Sequence, residues 1–172
     1  LLILSATSGC GSQNNASVDH KRWLAGDHHI HSRFSTGWDR TQTPPMPILG
    51  GDAIYTTPKN AEMASQFGLS WMVTTDHGGP NHSKVNLNKA YPELLQSRKD
   101  LPHIIQFYGM ELNTPAGDHS SLIVPHTPDE SSVLFDLEST FDTLEAFPLD
   151  PSRDREQRMI EALAYMQNMH EP

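Results

Sequence analysis

The chain is poor in cysteine, in basic charge and in long apolar runs. Its 172 residues include one cysteine, Cys10. That excludes an intrachain disulfide and any cysteine-rich zinc site. Lys and Arg number 12 against 21 Asp and Glu, for a formal net charge of −9. Such a balance disfavours a broad basic surface for DNA or RNA, because phosphate backbones are bound through clustered Lys and Arg. No segment beyond the amino-terminal end approaches the roughly 20 apolar residues of a membrane span. Gly-x-Ser-x-Gly is missing, and with it the usual serine-hydrolase signature. The glycine-rich phosphate loop ending in Gly-Lys-Ser or Gly-Lys-Thr is missing too. No methionine precedes Met46, so the chain is expected to be processed, engineered or cut from a longer reading frame.

What the chain does have is histidine, ten of them, in a chain that is 36% hydrophobic. That apolar content argues against a wholly disordered protein. The length suits one domain or part of a larger one. Leu1-Leu2-Ile3-Leu4 is apolar, Ser5 to Gly9 is small and polar, and Cys10 follows at once. Gly11 to Ser17 is a polar stretch with nothing to bury. An apolar run closing on small residues is how a secretory signal ends. With the cysteine, it resembles the lipobox of bacterial lipoproteins, although Thr7 stands where Leu is usual. Residues 1–22 are therefore expected to be a signal remnant and flexible tether, with Cys10 as the lipidation point. On that reading the protein is exported, either periplasmic or anchored to a membrane.

From residue 23 onward, strand-like and helix-like pieces alternate. Asp27 to His31 suits a strand, and Arg40 to Gly51, rich in Pro, Thr and Gly, reads as loop. Thr57-Pro58 opens a helix that stops at Gly68. Leu69 to Thr75 is an apolar, β-branched strand. A helix is expected between Lys84 and Asp100, and strands at His103–Leu112 and His119–Val124. The acidic stretch from Asp129 to Glu145 reads as solvated surface with turns. A last helix is expected from about Asp150 to Met169, with Met159, Leu163 and Met166 as its core face. This alternation points to a parallel α/β fold.

The histidines gather where those strands end. His29 and His31 are two apart, so on a strand they share a face and can reach one ion. Asp76-His77 follows the second strand, Glu111 closes the third, and His119 comes after a short turn. In parallel α/β folds, ligands collect at the carboxyl ends of the strands. Neutral imidazoles and carboxylates are the usual donors of a divalent-metal site.

Three segments resemble the motifs of the PHP (polymerase and histidinol phosphatase) superfamily. Gly26-Asp27-His28-His29-Ile30-His31-Ser32 is similar to the first. Gly68 to Gly78, ending Thr75-Asp76-His77, is similar to the second. Gly109-Met110-Glu111, with His119 beyond it, is similar to the third. The resemblance implies a distorted (β/α)7 TIM-like barrel and metal-dependent hydrolysis of phosphoesters by a metal-activated water. It implies two or three divalent ions (Zn, Mn or Fe). His29 and His31 hold the first, Glu111 bridges, His119 binds the second, and His77 serves a third. Asp27 and Asp76 then orient the imidazoles. The implied substrate is a small phosphoester or nucleotide. Arg33, His82 and His126 are candidates for contacting it.

The sequence departs from the family at two places. Ser35-Thr36-Gly37 stands where Ser-Asp-Gly is frequent, which leaves Asp39 as the nearby carboxylate for a third metal. No Asp-x-His follows His126, and only His170 remains. A barrel of this kind takes about 250 residues, so residues 23–172 are expected to form an incomplete PHP-type domain lacking its carboxy-terminal strands. The competing expectation is a non-catalytic metal- or ligand-binding module of a larger secreted protein.

Overall fold

The computed structural model describes residues 23–43 and 45–168. Cys10, the signal-like leader and tether, and His170 lie outside the described residues. The fold is α/β, built on a curled four-stranded sheet in the order β1-β4-β5-β6. The strands are β1 (Gly26–Ile30), β4 (Trp71–His77), β5 (Ile105–Asn113) and β6 (His119–Val124). β1, β4 and β5 are parallel, and β6 runs antiparallel to β5. A separate antiparallel pair, β2 (Thr36–Asp39) and β3 (Met46–Leu49), occupies part of the expected loop.

The (β/α)7 barrel expected from the resemblance is not the architecture of the described residues. Only three strands are parallel, and the turn from Asn113 to His119 is too short for a crossover helix. Parallel partners need a connection of about a dozen residues or more, whereas a short turn can join only antiparallel strands. The sheet therefore stays open instead of closing on itself.

Local chemistry explains the helices. α1 (Thr57–Gln66) starts on Thr56, whose side chain accepts the Lys59 amide, one residue earlier than expected. It ends at Gly68, whose φ of +85° is open to glycine at little cost. α2 (His82–Val85), a π turn (Asn86–Ala90) and α3 (Tyr91–Asp100) run on without a break. Pro92 lies at the start of α3. Proline has no amide hydrogen and crowds the preceding turn, and a widened π turn there relieves that conflict. α4 (Glu130–Phe141) and, after a 3-10 turn (Pro151–Arg153), α5 (Glu156–Asn168) are the last elements among the described residues. Among the described residues, no helix is long and apolar enough to cross a membrane.

The core lies on one face of the sheet. On β5, Tyr108, Met110 and Leu112 are buried, as two-residue periodicity requires, and they pack with Leu94, Leu134, Leu137 and Phe141. A second cluster joins Ala61 and Ala64 of α1 to Met72 and Ile104. The other face carries Glu111 at its upper end. Below it Trp71, Val73, Ile105, Phe107 and Ile123 line an open apolar hollow. Gly109 lies between these regions. A Cβ there would come within 2.2 Å of the Leu122 carbonyl oxygen, so only glycine allows β6 this close.

Two further expectations change. The acidic segment is α4, and its Glu130 and Glu138 are buried along with Asp142. On α5 Ala162 is buried and Met166 packs against the core as expected, while Leu163 is 50% exposed. Glu138 can be buried because it is paired. Its two oxygens bond His82 Nδ1 at 2.6 Å and Asn86 Nδ2 at 2.7 Å. His82 Nε2 donates to the Phe34 carbonyl at 2.7 Å. Burial alone would lower the His82 pKa, but Glu138 and the Phe34 carbonyl push it up to about 9.

A histidine raised above its unfolded value of about 6.5 stabilises the fold fully below that pH, and the contribution is lost as pH rises through the folded value. His82→Gln should therefore cost about 3 kcal/mol near neutral pH, as for other broken buried pairs. Urea unfolding of wild type and variant across pH 6 to 10 checks this. The gap should narrow towards the alkaline end, and a gap independent of pH would contradict a protonated His82.

Candidate metal centre

Strand pairing assembles the centre. β4 and β5 are in register, so His77 lies beside Glu111. The β5–β6 hairpin sets Ser121 on the other side of Glu111 and pairs His119 with Asn113. His29 in β1 and His31, just past its end, complete the group.

Glu111 stands between two histidine pairs. Its Oε2 lies 2.9 Å from His31 Nε2 and 3.6 Å from His29 Nε2. Its Oε1 lies 2.9 Å from His119 Nδ1. The His77 and His119 rings are 4.4 Å apart between centroids. Two groupings result, His29–His31–Glu111 and His77–Glu111–His119, each with ligand atoms within 4.8 Å of one another. His77, expected to serve a third ion, thus groups with Glu111 and His119.

The far sides of the His29 and His31 imidazoles are held by other groups. His29 Nδ1 bonds Ser121 Oγ at 2.6 Å. His31 Nδ1 bonds the Asp52 carboxylate, which also accepts from Ser35 Oγ at 2.9 Å. The Asp52 carboxylate can only accept, so His31 Nδ1 carries the hydrogen and its Nε2 presents a lone pair; the same holds for His29 when Ser121 Oγ accepts from its Nδ1. The two Nε2 atoms are 3.0 Å apart. Facing lone pairs repel unless a cation lies between them or one ring is reprotonated. His77 Nδ1 is buried with no hydrogen-bond partner. An all-imidazole and carboxylate donor set with an orphaned ring nitrogen suits a divalent transition metal.

Local electrostatics agree with this. Burial holds the His77 imidazole below its ordinary pKa, against the pull of Glu111, and so keeps it neutral. For Asp52, burial opposes ionisation, yet the bonds from Ser35 and His31 hold it below the usual carboxylate value. Burial raises Asp76, although Ser32 donates to it from both its amide and its hydroxyl. Asp76 therefore fastens the end of β4 to the loop after β1. Asp27 caps the His29 amide at 2.9 Å. Ser35 Oγ also accepts the His77 amide at 2.9 Å, tying the same loop to β4.

The other candidates lie elsewhere. Asp39 bonds Thr41 and Gln42 within the β2–β3 turn, away from the histidines. Arg33 pairs with Glu93. His82 is buried in the α2–α4 network, and a helix interior, not a pocket mouth, surrounds it. His126 follows β6 at the end opposite His119 and bonds Glu130 at 3.2 Å. Asp52 and Ser121 carry no sequence pattern that would have marked them. Asp52 reaches His31 only because the chain folds back, with Gly50 N donating to Ser35 O at 2.8 Å.

Isothermal titration with Zn²⁺ or Mn²⁺ should give two equivalents bound per chain. Glu111→Gln should weaken both positions, since one carboxylate serves the two. Asp52→Asn should weaken binding about 10- to 100-fold, the usual effect of losing a partner that orients a ligand. Unchanged isotherms for both variants would exclude this centre. No family model matches the chain, and no curated protein or solved structure matches it either.

Proposed function

We propose that the centre is that of a metal-dependent phosphoesterase acting on a small phosphoester. The observation that carries this reading is the split use of Glu111, with one oxygen 2.9 Å from His31 and the other 2.9 Å from His119. Two divalent ions held there would neutralise phosphoryl oxygens and acidify a water. Glu111 keeps the two positions adjacent but separate. Ser121 orients the His29 imidazole, and Asp52 holds that of His31 in one tautomer and orientation. Three protein ligands at each position leave coordination open, as catalytic sites require and closed structural sites do not.

Charge supports the same chemistry. Among the described residues, no Lys or Arg bonds a side chain of the centre, and Arg33 is engaged by Glu93. A phosphate dianion would therefore depend on cations held by the histidines and Glu111. The net charge of −9 favours a small ester over a polynucleotide. The segments that meet here are also those that resemble the PHP superfamily.

Hydrolysis of p-nitrophenyl phosphate with added Mn²⁺ or Zn²⁺ tests the proposal. Chelation should abolish the rate, and His29→Ala and Glu111→Ala should each lower it by about 1,000-fold, some 4 kcal/mol of barrier. Stoichiometric metal binding without hydrolysis of any ester would leave a binding module instead.

A further inference from the structure

We infer that the centre has a neighbouring aromatic subsite, and that its substrate is a phosphomonoester of a flat aromatic alcohol. This inference rests on the phosphoesterase reading and extends it to a substrate class. A cavity of about 420 Å³ is lined by Trp38, Pro45, Leu144, Phe147, Pro148 and Leu149. That volume falls within the range of small-molecule pockets.

Both walls are rooted at the strand ends that carry the centre. One wall is the β2–β3 pair. The side chain of Thr36, at its start, lies against Gly79, two residues beyond His77. The other wall is the segment after α4, which is tied to the end of β5. Asp142 accepts the Asn113 amide at 3.0 Å and the Leu144 amide at 2.8 Å. Thr143 N donates to Asn113 O at 3.0 Å. Asn113 lies two residues past Glu111.

One residue, Leu144, is shared between the cavity and a depression that reaches the candidate ligand His119. A smaller polar depression of about 200 Å³ has His119, Asn113, Thr143 and Leu144 among its lining residues. Leu144 therefore borders both spaces, with His119 on one side and Trp38 and Phe147 on the other. An ester with its phosphate at His119 and Glu111 would reach the cavity with its alcohol portion passing over Leu144.

The lining selects the alcohol. Phe147 and Leu149 are 44% and 56% exposed, so apolar surface faces water beside a polar centre. Among the described residues, neither Trp38 nor Phe147 is paired with another aromatic ring. Their faces, with two prolines, suit offset stacking on a planar ring. Arg40 at the cavity makes no ion pair among the described residues and can lie over that ring as a cation.

The test uses the full chain loaded with Zn²⁺ or Mn²⁺. Binding of 2-naphthol, which carries no phosphate, is followed by fluorescence, and kcat/KM is measured for 2-naphthyl phosphate and glycerol 3-phosphate. Wild type should bind 2-naphthol and prefer the naphthyl ester. Leu149→Arg should reduce that preference by at least about tenfold and weaken 2-naphthol binding, as expected when an apolar pocket is blocked. Phe147→Ser, at a second exposed position, guards against a folding defect in the first variant. Hydrolysis of both esters with equal efficiency and no 2-naphthol binding would overturn the subsite and leave the phosphoesterase standing. Binding of 2-naphthol that Leu149→Arg abolishes, with neither ester hydrolysed, would support the aromatic site while removing the phosphoesterase.

Discussion

Strand β5 carries two incompatible environments on one backbone. Its side chains alternate between faces, so Tyr108, Met110 and Leu112 enter the apolar core while Glu111 points to the opposite side. The seven in-register pairs with β4, from Trp71–Ile105 to His77–Glu111, fix how far that carboxylate stands from the histidines. A one-residue slip would bury Glu111 among apolar side chains and expose Met110. The burial that stabilises the sheet is thus also what sets the geometry of the candidate centre.

Buried carboxylates hold the loops around it. Asp76 holds the segment after β1 through both polar groups of Ser32. Glu138 joins His82 and Asn86 and, through His82, reaches the Phe34 carbonyl in the same segment. Asp142 accepts three hydrogen bonds from Asn113 and is still pushed up to about 6 by burial. Taking ionisable groups out of water costs free energy that only such hydrogen bonds offset. Each of these groups attaches a loop to a strand end, where an apolar contact would hold it with less directional constraint.

Much of the candidate centre was legible in the chain because the residues that could hold a metal sit at strand ends within short motifs. His29 and His31 share a spacing, and His77 and Glu111 each follow a strongly β-prone run. The turn before His119 was equally visible, and its shortness is what makes β6 antiparallel to β5. Asp52 was not legible, because it lies in a loop with no periodic pattern. The burial of α4 is not legible in the chain, because Glu130 and Glu138 look solvated until their partners are known. Those partners, Arg98 and His82, lie far away in sequence.

The sequence by itself determined which residue types are available for chemistry, the strands that carry them and the residues that start and stop α1. These depend on local periodicity and capping, which act over a few positions. Only the tertiary structure decided that His77 groups with His119, that Asp52 supports His31 and that Trp38 and Phe147 line one cavity. Those outcomes depend on contacts between segments distant in the chain, where register, loop return and the pairing of buried charges act together.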